Sequence, residues 1–177
     1  MNALRTLAAA LSVASLPLAV LAQSPAPTAP PAPCISAQDR QFDFWLGDWD
    51  VTDNASGRPV GTNDVTRELR GCVLQEHWAG AGARGGHGMS FNHYDAARKL
   101  WHQTWVDDSG GILYLDGGLR DGSMILSGKR IGRLGKPVTD RITYTPRPDG
   151  TVRQWWQVSR DDGKTWATSF DGIYHRK

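Results

Sequence analysis

The residues in this 177-residue sequence most able to do chemistry are Glu76, the five histidines and the eight tryptophans. In a desolvated site Glu76 would serve as a general base; paired and buried, it would be structural. Asp107-Asp108 and Asp161-Asp162 are adjacent carboxylates, but neighbours on a strand point apart, so neither makes the facing pair that glycoside hydrolysis uses. Both fall in turn-like stretches, where Asp bonds local backbone. The sequence contains no Gly-x-Ser-x-Gly, no His-Glu-x-x-His and no Cys-x-x-Cys. An enzyme reading therefore rests on Glu76 alone.

A binding reading rests on alternation. Taken as strands, successive runs give one face with Leu74, Glu76 and Trp78, then Gly88, Ser90 and Asn92, then Trp101, Gln103 and Trp105. The opposite faces carry His87, Met89, Phe91 and His93, then Leu100, His102, Thr104 and Val106. Near the end, Arg153, Trp155 and Gln157 oppose Val152, Gln154, Trp156 and Val158. Both faces mix large apolar groups with polar ones, whereas an ordinary core shows one clean apolar face. A partly polar cavity lined by Trp would produce this mixture. A filled barrel whose polar groups satisfy one another and water is the alternative. The imidazoles of His77, His87, His93, His102 and His175 raise a third reading, a haem or metal site, against hydrogen-bonded surface histidines.

The elements that must position these residues are short. The sequence predicts roughly ten strands at 8–14-residue spacing, and no sustained helical period follows Leu46. This is an all-β, antiparallel pattern. Asp116-Gly117-Gly118 and Asp121-Gly122 read as turns flanking a short connection, and the Gly-rich run 79–86 reads as a loop, either a lid or a plain hairpin connection. Residues 1–22 follow a secretory signal peptide pattern, with Arg5, an apolar run and Ala22 at its end. Residues 23–33 are a Pro/Ala-rich tether, leaving 34–177 as one domain. Cys34 follows Pro31-Ala32-Pro33 rather than the small-residue lipobox of a lipid-attached cysteine. After export to a periplasmic or secreted location, Cys34 and Cys72 would meet an oxidising compartment and pair; two separate buried thiols are the alternative. A net charge of +2 without a run of basic residues excludes a nucleic-acid footprint, and no membrane span is expected after signal cleavage.

The stretch Phe42-Asp43-Phe44-Trp45-Leu46-Gly47-Asp48-Trp49 places a helical turn and Gly-x-Trp ahead of the first strand. This resembles the opening of lipocalin-like (calycin) barrels. Ser159-Arg160-Asp161-Asp162-Gly163-Lys164-Thr165-Trp166 resembles the Asp-box of sialidases, here in one copy and read as a structural hairpin. With Glu76-His77-Trp78, Ser90-Phe91-Asn92-His93-Tyr94-Asp95, the run 101–107 and Phe170-Asp171-Gly172-Ile173-Tyr174, the domain resembles a DUF1579-like family of exported bacterial proteins of unknown function. That resemblance implies a roughly ten-stranded lipocalin-like barrel with a short N-terminal helical plug. It also implies that Glu76, Trp78, Ser90, Asn92, Trp101, Gln103 and Trp105 face inward. Haem-binding barrels related to calycins take an axial His near the chain end, where His175 stands.

The resulting expectation is a small, partly apolar organic ligand, stacked on Trp and oriented by Gln103, Asn92, Ser90 and Glu76. Arg141 or Arg153 would neutralise Glu76 or hold a ligand carboxylate. No cofactor is expected, haem being the alternative. Met89, Phe91 and their neighbours are expected outside, as a docking or homodimer surface if the barrel is filled.

Overall fold

The computed structural model describes residues 33–83, 85–132 and 134–177, so the signal pattern and nearly all of the tether lie outside the described residues. The strands are β1 (Gly47–Asp53), β2 (Pro59–Glu68), β3 (Val73–Gly80), β4 (His87–Asp95) and β5 (Leu100–Asp107). They continue as β6 (Ile112–Arg120), β7 (Ser123–Ile131), β8 (Pro137–Pro146), β9 (Val152–Ser159) and β10 (Ala167–Arg176). Every strand pairs antiparallel with its sequence neighbours, and β1 pairs with β10 to close a ten-stranded barrel. Closure leaves no free sheet edge.

One end of the barrel is plugged. Two 3₁₀ turns, Gln38–Arg40 and Asp43–Trp45, precede β1 and carry Phe42 and Trp45 into complete burial. Phe42 stacks on Trp45 at 5.0 Å, and Trp45 lies 4.6 Å from Tyr144 of β8. The indole of Trp49 donates to the carbonyl of Trp45 at 3.0 Å, tying plug to strand. Gly47 joins them at φ +136°, a conformation in which a side chain is strained, and the Arg176 guanidinium occupies the place of a Cβ. Arg176 in turn lies over the Trp49 ring, 4.4 Å from its centre. The plug is fastened by a Cys34–Cys72 disulfide, so the two thiols are paired. Arg40 reinforces it by donating to the Cys34 carbonyl at 2.7 Å.

One turn expectation changes. The Asp116-Gly117-Gly118 stretch is not a turn: β6 runs through it to Arg120. A Cβ on Gly117 would sit 1.9 Å from the Ile125 carbonyl, so this glycine serves close approach of β7 rather than reversal of the chain. The reversal falls at Asp121-Gly122, both at positive φ. Of the run 79–86, Ala79 and Gly80 end β3, and the Gly80 amide donates to the Gly86 carbonyl at 2.9 Å, so β3 and β4 are joined as a hairpin.

The Asp-box is structural, as read. Asp161 accepts from the Thr165 amide and hydroxyl at 2.9 and 2.6 Å, and Ser159 accepts from the Gly163 amide at 2.8 Å. The Thr165 hydroxyl is the main cause holding the Asp161 carboxyl down at about 2. Trp166 then covers the outer wall beneath the Arg141 guanidinium, 3.9 Å away.

A candidate ligand cavity in the open end of the barrel

The inward set follows the alternation of burial along each strand. Glu76, Ser90, Asn92, Gln103 and Trp101 are all buried, while His77, His87 and Phe91 are exposed. The end opposite the plug holds a cavity of about 190 Å³. Its rim is aromatic and half-buried: Trp78, Trp105, Trp156 and Phe170. Its floor is buried and polar: Glu76, Tyr144, Gln154 and Tyr174. The two tyrosines also touch Trp45 through their rings, at 4.6 and 6.3 Å, and so separate cavity from plug.

Glycines make room for the rim. A Cβ on Gly61 would lie 2.6 Å from the Trp78 ring, and one on Gly88 2.2 Å from the Trp105 ring. A Cβ on Gly172 would lie 2.6 Å from the Phe170 ring. Each ring lies across a glycine of the wall instead of projecting into the lumen. Any larger residue at those positions would push a ring into the void.

Beneath the rim runs a continuous buried hydrogen-bond network. Glu76 accepts from the Asn63 amide at 2.9 Å and the Ser90 hydroxyl at 2.6 Å. Asn92 donates to Ser90 at 2.8 Å and to the Leu74 carbonyl at 3.1 Å, and accepts from Gln103 at 2.7 Å. Gln103 also donates to the Tyr144 hydroxyl at 3.1 Å, and the Tyr174 hydroxyl donates to Gln154. Burial pushes the Glu76 carboxyl up to about 7, against the lowering effect of Ser90 and Asn63. Burial, with Glu76 nearby, also drives both tyrosines well above their ordinary value. Asn63 Oδ1 and Trp45 Nε1 are buried without a hydrogen-bond partner among the described residues.

Of the residues named from sequence, Glu76, Trp78 and Trp105 line the cavity. Ser90, Asn92 and Gln103 lie behind it in the network, and Trp101 belongs to the plug, 5.7 Å from Phe42. Arg141 and Arg153 are corrected. They sit on the outer phase of β8 and β9, and neither reaches Glu76. Arg141 donates to Gln157, and Arg153 makes two 2.7 Å bonds to Asp171 and lies over Trp155. The histidines also lie on outer phases. His102 bonds Asp116 at 2.7 Å, and His175 bonds Thr52 at 3.1 Å. Among the described residues no group of three or more His, Cys, Asp or Glu could hold a metal ion. Asp107 and Asp161 bond their own turns, as their positions suggested.

Asn63, Tyr144, Gln154, Trp156 and Tyr174 were missed. Gln154 and Trp156 belonged to one of two open faces of β9; choosing between them needs the barrel's register. The tyrosines come close to Glu76 from strands far away in sequence, for which spacing carries no signal, and Asn63 comes from the adjacent strand β2, whose inner phase the alternation left open. No family model matches the sequence, and no curated protein matches it.

Proposed function

We propose that this is an exported carrier that holds a small, partly apolar organic molecule non-covalently in the open end of its barrel. The observation that carries this reading is the cavity of about 190 Å³, with an aromatic rim over a polar floor. An apolar void of ~150 Å³ accommodates a benzene-sized guest, so the ligand is of about one-ring size. Export is supported by the disulfide, a bond that persists in oxidising compartments, and by the leader pattern in 1–22. Membership of the DUF1579-like family is part of the same proposal, resting on the motifs quoted above. The reading needs no cofactor and no catalytic residue.

Native mass spectrometry of the domain, purified gently from its exported fraction, tests it. An added mass that leaves on denaturation is expected. A bare mass, together with unchanged Trp fluorescence across a panel of small organic compounds, would remove the reading.

A second reading has its own observation. Phe91, Val106, Ile112 and Tyr114 are exposed together on the outer face of β4–β6, where the register sets Phe91 by Thr104 and Tyr114 by Thr104. A docking or dimer role would use this surface. Sedimentation of the wild type against Phe91→Ser separates the two readings: a dimer that the substitution dissolves supports surface association.

A further inference from the structure

Resting on that carrier reading, we infer that the cavity is built for a small organic cation: an ammonium group on a compact apolar body. The argument begins with what lines it. Among the described residues that line it there is no Arg, Lys or His, and Glu76 is the one carboxyl. The arginines nearest in sequence pattern, Arg141 and Arg153, are engaged on the outer wall. Among the described lining residues an anionic ligand would therefore meet a carboxyl and no compensating charge.

Among the described residues the donors to Glu76 are uncharged, Asn63 from β2 and Ser90 from β4. The other titratable groups facing it are Tyr144 from β8 and Tyr174 from β10, neither of which carries positive charge. The other buried acid of the inner phase, Asp140, is answered by Arg130 at 2.7 Å and by the Trp156 indole at 2.8 Å. The Asp140 charge is answered inside the protein, and no described cation answers Glu76. A buried carboxylate without a cationic partner is costly, and a bound cation removes that cost where a neutral guest would not. Asn63 Oδ1, a buried acceptor with no donor, adds to the excess of acceptors beside Glu76.

The rim supplies the rest. Trp78, Trp105, Trp156 and Phe170 surround the mouth above the carboxyl, and aromatic rings attract ammonium groups through their negative faces, most strongly when desolvated. Indole rings over a single acid suit a cation that carries methyl or methylene groups better than a bare hydrated ion. The carboxyl's position near pH 7 adds a consequence: uptake of the cation strengthens as Glu76 loses its proton.

Three probes of one shape and different charge test this: choline, its neutral isostere neohexanol, and the anion of tert-butylacetic acid. Calorimetry at about pH 8 is expected to show choline bound at least about tenfold more tightly than neohexanol, the anion being weakest. At about pH 5.5 the choline preference is expected to fall about tenfold. Glu76→Gln is expected to abolish both the preference and its pH dependence while neohexanol still binds. Should that variant fold poorly, Trp105→Leu keeps the carboxyl; it is expected to weaken choline about fivefold or more and neohexanol by less than about twofold. Neohexanol or the anion binding as tightly as choline would overturn the cation assignment and leave the carrier reading standing. Binding of none of the three, with a bare native mass, would overturn both.

Discussion

The two ends of this barrel are built from the same kinds of residue and end in opposite states. At the closed end Phe42, Trp45, Trp49 and Trp101 are almost wholly buried, with ring centres 5.0–5.7 Å apart for Phe42 against Trp45 and Trp101. At the open end Trp78, Trp105, Trp156 and Phe170 are half-buried around a void. The difference is a segment. The chain ahead of β1 folds into the closed end as two 3₁₀ turns, whereas short hairpins bridge the strands around the other end. Aromatic content thus makes a core where a piece of chain arrives to fill the space, and lines a cavity where no described segment does. The two buried acids do not divide this way: Asp140, bonded by the rim indole of Trp156, has its arginine, and Glu76 has none among the described residues.

The largest test of that contrast lies in the plug. Trp45→Ala is expected to destabilise the fold by ~3–5 kcal/mol, measured by urea denaturation, because nothing can collapse into the space of a wholly buried indole. Replacing both Cys34 and Cys72 by Ser is expected to cost ~2–4 kcal/mol, since the bond closes a loop across a sequence separation of 38. Reduction of the wild type should reproduce it.

Substitution at the open end acts in the reverse direction. Glu76 holds its proton more tightly folded, about 7, than its ordinary 4.5, so its contribution is fully present below pH 4.5 and is lost as pH rises through 7. The gap corresponds to about 3 kcal/mol. Wild-type Tm is therefore expected to fall between about pH 5 and pH 8, and Glu76→Gln to flatten that fall and stabilise the protein at the alkaline end. A Gln there, with the Asn63 amide turned over, would also offer a donor to Asn63 Oδ1. A stable plug variant, or a Glu76→Gln protein that loses stability at about pH 8, would break the comparison.

The smallest effect is expected at Gly88. Gly88→Ala would drive the Trp105 ring from the wall into the lumen, costing ~1–3 kcal/mol by overpacking and shrinking the cavity. Ligand affinity, read by Trp fluorescence, should drop more than stability does. The equivalent insertion at Gly57, where a Cβ meets nothing, should leave binding untouched.

Local chemistry made much of this legible in advance. Turn residues such as Asp149-Gly150 and the Asp-box mark where strands end, because φ and side-chain-to-backbone bonding are decided within a few residues. The plug was readable from Phe42 to Trp49, and the Cys34–Cys72 pair from the oxidising compartment that the pattern of residues 1–22 suggests. Gly117 misled, since a glycine that admits a neighbouring backbone looks the same in sequence as one that turns the chain. Period-two alternation establishes that Arg153, Trp155 and Gln157 face away from Gln154 and Trp156. It does not say which set is inside. That choice was made by closure of β1 on β10 and by the register that sets Arg141 against Gln157 and Glu76 against Ser90. The same closure sent both arginines outward and brought Tyr144 and Tyr174 to the carboxyl that Asn63 reaches from the neighbouring strand β2. Residue types determined what the strands could offer; only long-range pairing, which depends on partners scores of residues apart, decided that Glu76 would face an empty space.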